Sequence, residues 1–277
     1  SHSGTWSVLS AMAKSLEQLG HTVVCKAVLD KGNPLDMDLS LQEFDVAHFW
    51  NKRSYYQFSK EISIPFGFTA HGFAGVGIEQ KKIRQHYVTY FKEVNPDWMH
   101  VMDSFTLSIL GQDELYPFWT PQCITQEGFY RLERPSDIVV GTIGHNDDGY
   151  KRHKNVAHGA KVAGLPFLEY NSSYGEIDKV EVIELYRKIG IYVNAAFGAC
   201  GPVTAQEALL CGRPIVTTRI DTMVGVTQPG VNGEFFDGST SDLVKKLQLI
   251  ANDFDKYYHG TSKTVLYSAE EAATMFL

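Results

Sequence analysis

The sequence has no apolar run approaching the roughly 20 residues that a membrane-spanning helix needs. Its opening, Ser1 to Trp6, shows neither the basic stretch nor the apolar stretch of a secretory signal, so a cytoplasmic protein is expected. Cysteine is sparse: Cys25, Cys123, Cys200 and Cys211 lie far apart and form no C-x-x-C pair, which argues against a disulfide framework or a zinc site. Net positive charge is lacking too, with 25 Lys and Arg against 32 Asp and Glu, a formal charge of -7. That balance gives no overall attraction to nucleic acid, although a local basic groove can exist beneath an acidic total. There is no internal repeat, low-complexity tract or long disordered linker.

What remains is an ordinary globular composition: 277 residues, 44% hydrophobic and 21% charged, enough to bury a sizeable core. Trp6, Leu9, Met12, Ala13, Leu16 and Leu19 recur at three- and four-residue spacing, which predicts a helix capped by Thr5 and ended by Gly20. A strand is expected at 21–28, with others ending at Trp50 and His71. The segment 122–135 changes character and leads into a strand over 137–144, which places a domain boundary between 1–133 and 134–277. Beyond it, helices near 155–162, 182–186 and 204–211 alternate with strands at 165–170, 191–195 and 214–218. Strands alternating with helices imply an α/β chain of two Rossmann-like halves with parallel sheets.

The stretch from Phe197 to Thr218 puts a glycine-containing turn before a short helix and a buried strand after it. Free amides at such a helix start favour a phosphate, and Gly201 would let it approach the backbone. Thr204 and Glu207 also have the T-x-x-E spacing of a capping box, in which each side chain satisfies the other's amide. Both readings stand on the spacing.

Glu207-Ala-Leu-Leu-Cys-Gly-Arg-Pro-Ile-Val and Gly225-Val-Thr-Gln-Pro-Gly-Val-Asn-Gly-Glu together resemble the C-terminal domain of glycosyltransferase family 4. The resemblance implies a GT-B fold, two Rossmann-like domains facing across a cleft, and retaining, metal-independent sugar transfer from a nucleoside diphosphate sugar. UDP- or GDP-sugar would be the donor, with no tightly bound cofactor. It implies that Glu207 receives the ribose hydroxyls, and that Gly201, Pro202, Val203 and Thr204 surround the diphosphate. Gly141-Thr-Ile-Gly and the Lys/Arg cluster after it resemble the family's strand-end glycine and leaving-group clamp, giving Thr142, Gly144, Lys154 and Arg152 to the donor. By itself such a cluster is more often a solvated loop than a phosphate clamp, but its position after a glycine-ended strand favours the clamp, since the carboxyl ends of strands are where open α/β sheets bind ligands.

In the first half, Ser1-His-Ser-Gly4-Thr resembles the family's glycine loop, and Phe68-Thr-Ala-His71 its strand-end histidine facing the reacting sugar. Asp45-Val-Ala-His48 resembles the preceding strand end. His71, Lys154 and Arg152 are therefore the catalytic candidates. The family's first motif glutamate falls at Ala199, which leaves a non-catalytic nucleotide-sugar binder as an alternative. The chain begins where the family's first strand ends, as a compact or trimmed member would. No D-x-D pair is expected at a strand end: Asp36-Met-Asp38 follows Pro34 in an irregular loop. The acceptor is open among glycans, small molecules and modified DNA bases, the last drawing on Lys52, Arg53, Lys81, Lys82 and Arg84. An epimerase fits the same two halves.

Overall fold

A computed structural model describes residues 4–25, 43–50, 63–69, 88–89, 91–93, 95–102, 107, 110, 117–124, 128–144, 152–171, 178–196 and 202–277. The opening helix, α1 (Gly4–Gln18), turns Val8, Met12 and Ser15 inward at the spacing of one helical face. Thr5 lies inside this helix, not at its cap, and Gly20 ends the segment at φ 96°, a conformation that costs a side chain but not a glycine. No strand forms over 21–25, and the rest of the strand expected there lies outside the described residues.

Strands β1 (Ala47–Phe49), β2 (Phe66–Thr69), β3 (Trp98–Val101) and β4 (Phe118–Trp119) make the first sheet, parallel throughout and in the order β1-β2-β3-β4. Phe68, Met99, Val101 and Leu110 form its core.

The second sheet contains β5 (Val140–Gly144), β6 (Phe167–Asn171), β7 (Ile191–Asn194), β8 (Ile215–Thr218) and β9 (Gly233–Phe236), again all parallel, in the order β6-β5-β7-β8-β9. Helices α2 (His153–Val162), α3 (Lys179–Lys188), α4 (Val203–Leu210), α5 (Asp221–Val226) and α6 (Thr240–Asn252) follow the five strands in turn. Strands β5, β7 and β8 are buried nearly end to end because helices cover both faces, whereas the edge strand β6 is only partly covered. Local signals set the helix starts: Asp178 and Glu181 form a capping box on α3, and Ser239 caps α6 through the Asp242 amide.

The connecting segment belongs structurally to the second sheet. Leu132 N donates to the Cys211 carbonyl, Tyr258 Oη donates to the Leu132 carbonyl, and the fully buried Arg213 donates from Nη2 to Glu133 O and from Nε to Tyr186 O. After α7 (Phe254–Gly260), the chain returns to the first unit through α8 (Ala269–Phe276), itself opened by a Ser268/Glu271 capping box. α8 packs on α1, and Ala272 joins Val8, Met12, Trp50, Met102 and Cys123 in one buried cluster. Among the described residues, no helix is long and apolar enough to cross a membrane.

Candidate functional site

The topology of the second sheet singles out one place. From β5 the chain steps outward to β6 and then crosses back to β7 on the other side of β5. At such a switch point the helices leave on opposite faces and open a crevice at the carboxyl ends of the strands. β5 and β7 are paired only at Val140↔Ile191 and Gly141↔Tyr192. Farther along, the Tyr192 hydroxyl spans between them, 3.0 Å from the Ile143 carbonyl and 2.7 Å from Thr204 Oγ1. One tyrosine thus joins the end of β5 to the first turn of α4.

The α4 start follows from its sequence. Pro202 stands at the N-cap with φ -66°, a value its ring imposes, and no side chain caps the helix. The capping-box reading of Thr204 and Glu207 is therefore replaced: Thr204 Oγ1 pairs with the Tyr192 hydroxyl, and Glu207 Oε2 with the Tyr186 hydroxyl. Among the described residues, no hydrogen bond takes up the amides of Val203 and Thr204. These two donors and the helix dipole behind them suit an anion.

Glu207, one turn into α4, is partly buried. Its Oε2 lies 2.9 Å from the Tyr186 hydroxyl, which also lies 2.8 Å from the Thr204 carbonyl. Burial pushes the Glu207 carboxyl up to about 7, against the opposing pull of the Tyr186 hydrogen bond and the Lys179 charge. Burial also drives the phenols upward, Tyr186 well above its ordinary value and Tyr192 to about 12, so both are neutral donors.

The other expected donor residues distribute unevenly. Thr142 is buried within β5, and Gly144 ends that strand at φ 147°. Lys154 is exposed on the first turn of α2. Arg152, the N-cap of α2, holds a left-handed φ of 55°, unusual for a residue with a side chain, and its Nη1 donates 2.8 Å to the Gly238 carbonyl. That bond ties the start of α2 to the loop between β9 and α6. Gly4 begins α1. His71, Gly201 and Ala199 lie outside the described residues, as do the 36–38 acidic pair and the basic residues at 52, 53, 81, 82 and 84.

The downstream motif residues hold their own turn. Asn232 accepts from the Gln228 amide at 2.7 Å and donates to the Val226 carbonyl at 2.9 Å. Glu234 accepts from the Gly230 amide at 2.8 Å and from the Tyr257 hydroxyl at 2.7 Å, with Lys246 Nζ 3.2 Å away.

The first unit reaches the same junction. Val203 packs against the cluster formed by Val8, Met12, Trp50, Met102 and Cys123, and Gln206 donates 3.0 Å to Gln122. Nearby, a polar chain crosses the first sheet: Trp98 Nε1 to His48 Nδ1 (3.1 Å), His48 Nε2 to Thr69 Oγ1 (2.7 Å), Thr69 Oγ1 to His100 Nδ1 (2.9 Å), and His100 Nε2 to Thr120 Oγ1 (2.7 Å). The Phe276 ring of α8 closes over it, 5.0 Å from His48 and 5.2 Å from His100.

Sequence reasoning missed Tyr186 and Tyr192 as site residues. Both occupy apolar positions of a helix face and a strand, where an aromatic reads as core; a hydroxyl needing a buried partner was the available signal.

Neither a protein-family model nor a curated protein matches the chain. Solved structures do. S. aureus TarM, determined in complex with UDP, shares 13% identity at a TM-score of 0.62, over 79% of this chain and 50% of TarM. Anabaena HepE in complex with UDP-glucose gives 13% and 0.60, over 84% of this chain and 76% of HepE. A glycosyltransferase from Rickettsia africae ESF-5 gives 14% and 0.62, over 98% and 90%. The chain therefore spans about half the length of TarM. At these identities the likeness is one of fold, and the fold is GT-B, with its two parallel α/β sheets.

Proposed function

We propose that this protein is a glycosyltransferase that moves a sugar from a nucleoside diphosphate sugar, a UDP-sugar in the first instance, to an acceptor held by the N-terminal unit. The observation that carries the reading is Glu207: a partly buried carboxyl one turn inside a helix whose first amides have no partner among the described residues, at the switch point of a parallel sheet. A ribose diol presents two O–H donors and suits a carboxylate, while the adjoining diphosphate suits the Val203 and Thr204 amides. The TarM and HepE structures hold UDP or UDP-glucose in the same fold, which supports this choice of ligand.

In this reading, charge developing on the departing diphosphate meets the α4 amides and Lys154, a preorganised electrostatic role. Arg152 holds the Gly238 carbonyl through Nη1, a bond that competes with its approach to the diphosphate. Transfer is retaining and metal-independent, and His71 faces the reacting sugar. The units divide as 1–133 for the acceptor and 134–277 for the donor, with α8 packed back onto the first.

The test is thermal stabilisation by UDP-glucose, GDP-mannose and ADP-glucose, comparing the natural chain with Glu207→Ala. A ligand at about a hundred times its dissociation constant adds roughly 2.7 kcal/mol. A shift with one nucleotide series that the variant loses is the expected result. No shift with any series, in folded protein, removes the donor site. Ala199 favours a second reading, a binder without turnover, and slow hydrolysis of the bound donor separates the two.

A further inference from the structure

Tyr186 is completely buried on α3, and its hydroxyl stands between two acceptors, the Thr204 carbonyl at 2.8 Å and Glu207 Oε2 at 2.9 Å. A phenol carries one proton. If that proton points at the carbonyl, a phenol lone pair faces the carboxyl across 2.9 Å, and the contact becomes attractive only when Glu207 itself carries a proton to donate. If it points at Glu207, it supports the carboxylate. The Thr204 carbonyl tolerates this loss because, inside a helix, it faces the amide four residues on. Two arrangements thus fit one set of heavy-atom positions, and they differ by one proton on Glu207.

A ligand chooses between them. A neutral carboxylic acid whose O–H is committed to Tyr186 offers a single good acceptor, whereas a carboxylate offers both oxygens to a diol. Resting on the nucleotide-sugar reading above, we infer that Tyr186 is a positioning residue that couples donor binding at Glu207 to the release of one proton. The balance is simple: the Glu207 proton leaves to solvent, the Tyr186 proton rotates from the Thr204 carbonyl to Oε2, and the phenol stays neutral throughout.

The surroundings leave Glu207 as the group that titrates. Lys179, on the first turn of α3, favours the carboxylate. Tyr192 from β7 and Cys211 beyond α4 both feel its negative charge and are themselves pushed up to about 12 by burial, so they remain protonated. Arg213 and Arg187 act on Cys211 in the opposite sense. Burial places the carboxyl at about 7, where a small change in its partners decides its charge.

The probe is UDP-glucose, with GDP-mannose and ADP-glucose beside it, because their phosphates are diesters that do not titrate near neutrality. Calorimetry between about pH 5.5 and 8.5 should show affinity rising with pH, up to about tenfold per unit below pH ~7, and then levelling. Repeating the titration in buffers of different ionisation enthalpy should show up to about one proton released per nucleotide on the acid side. This measurement needs no variant. Tyr186→Phe should move the midpoint upward, so that its deficit against the natural chain shrinks at high pH. Glu207→Gln should bind weakly and without pH dependence. Binding that ignores pH in the natural chain overturns the coupling and leaves the nucleotide site standing. A Tyr186→Phe deficit of the same factor at every pH, with unliganded melting intact, makes Tyr186 a packing residue only and also overturns it. Absence of binding by all three probes at every pH removes the donor site itself, and the coupling with it.

Discussion

The Trp98 indole donates to Nδ1 of His48 at 3.1 Å, and because an indole N–H can only donate, this bond fixes the tautomer of His48. His48 must then donate from Nε2 to Thr69 Oγ1, which in turn pairs with His100 Nδ1, and His100 Nε2 pairs with Thr120 Oγ1. The indole reaches His48 by lying across Gly67, where an added Cβ would stand 2.1 Å from Trp98 Nε1. Nitrogen-15 spectra should therefore show His48 as the Nε2–H tautomer, and Gly67→Ala should disturb that signal first.

Thr69→Val removes the hydroxyl that both rings engage, that of the half-buried His48 and that of the fully buried His100. The expected loss is about 2–4 kcal/mol in urea unfolding, while Thr69→Ser keeps the chain and costs about 1 kcal/mol or less.

Tyr192→Phe takes a partner from the Ile143 carbonyl and from the Thr204 hydroxyl. Stability should fall by about 1–2 kcal/mol. Stabilisation by a nucleotide sugar should fall as well, because the end of β5 and the first turn of α4 are no longer joined. Melting with and without UDP-glucose separates the two effects.

Glu207 makes stability depend on pH in an unusual direction. Its folded value, about 7, lies above the ordinary carboxyl value of 4.5, so the native state holds a proton that the unfolded chain has lost between those limits. Stability should fall as pH rises through that window and flatten above it, by on the order of 2–3 kcal/mol. Glu207→Gln should remove this contribution, leaving the variant less sensitive than the natural chain when unfolding is compared at about pH 5 and 8.

Phe276→Ala opens the cover over the histidine chain and weakens the seat of α8 on the first unit. A loss of about 1–3 kcal/mol is expected. Tryptophan fluorescence should change with it, since Trp50 shares the α8 cluster.

Much of the second unit was legible because its signals are local. Val140, Ile191, Val193, Ile215 and Val216 lie in short apolar strands bounded by glycine, proline or charge, and the strands formed within a few residues of where that pattern ends. Glu207 was legible as a candidate through its motif. Its alternative role as half of a capping box was a local possibility that lost to tertiary partners, because Tyr186 and Tyr192 engage Glu207 and Thr204. The strand expected at 21–28 rested on β-branched composition, which describes a half-buried surface rather than a backbone preference, and residues 21–25 do not adopt it.

By itself, the sequence determined the alternation of strand and helix, the caps at Asp178, Ser239 and Ser268, the stop at Gly20 and the proline that opens α4. Each depends on atoms within a few residues of one another. Only the tertiary structure decided that His48, Thr69, His100 and Thr120 form one chain of hydrogen bonds, that the last helix closes over it, and that a buried phenol shares its proton with Glu207. The reason is physical: parallel strands bring residues 20 and 31 positions apart side by side, and a hydroxyl or carboxyl takes its chemistry from whichever partner burial supplies.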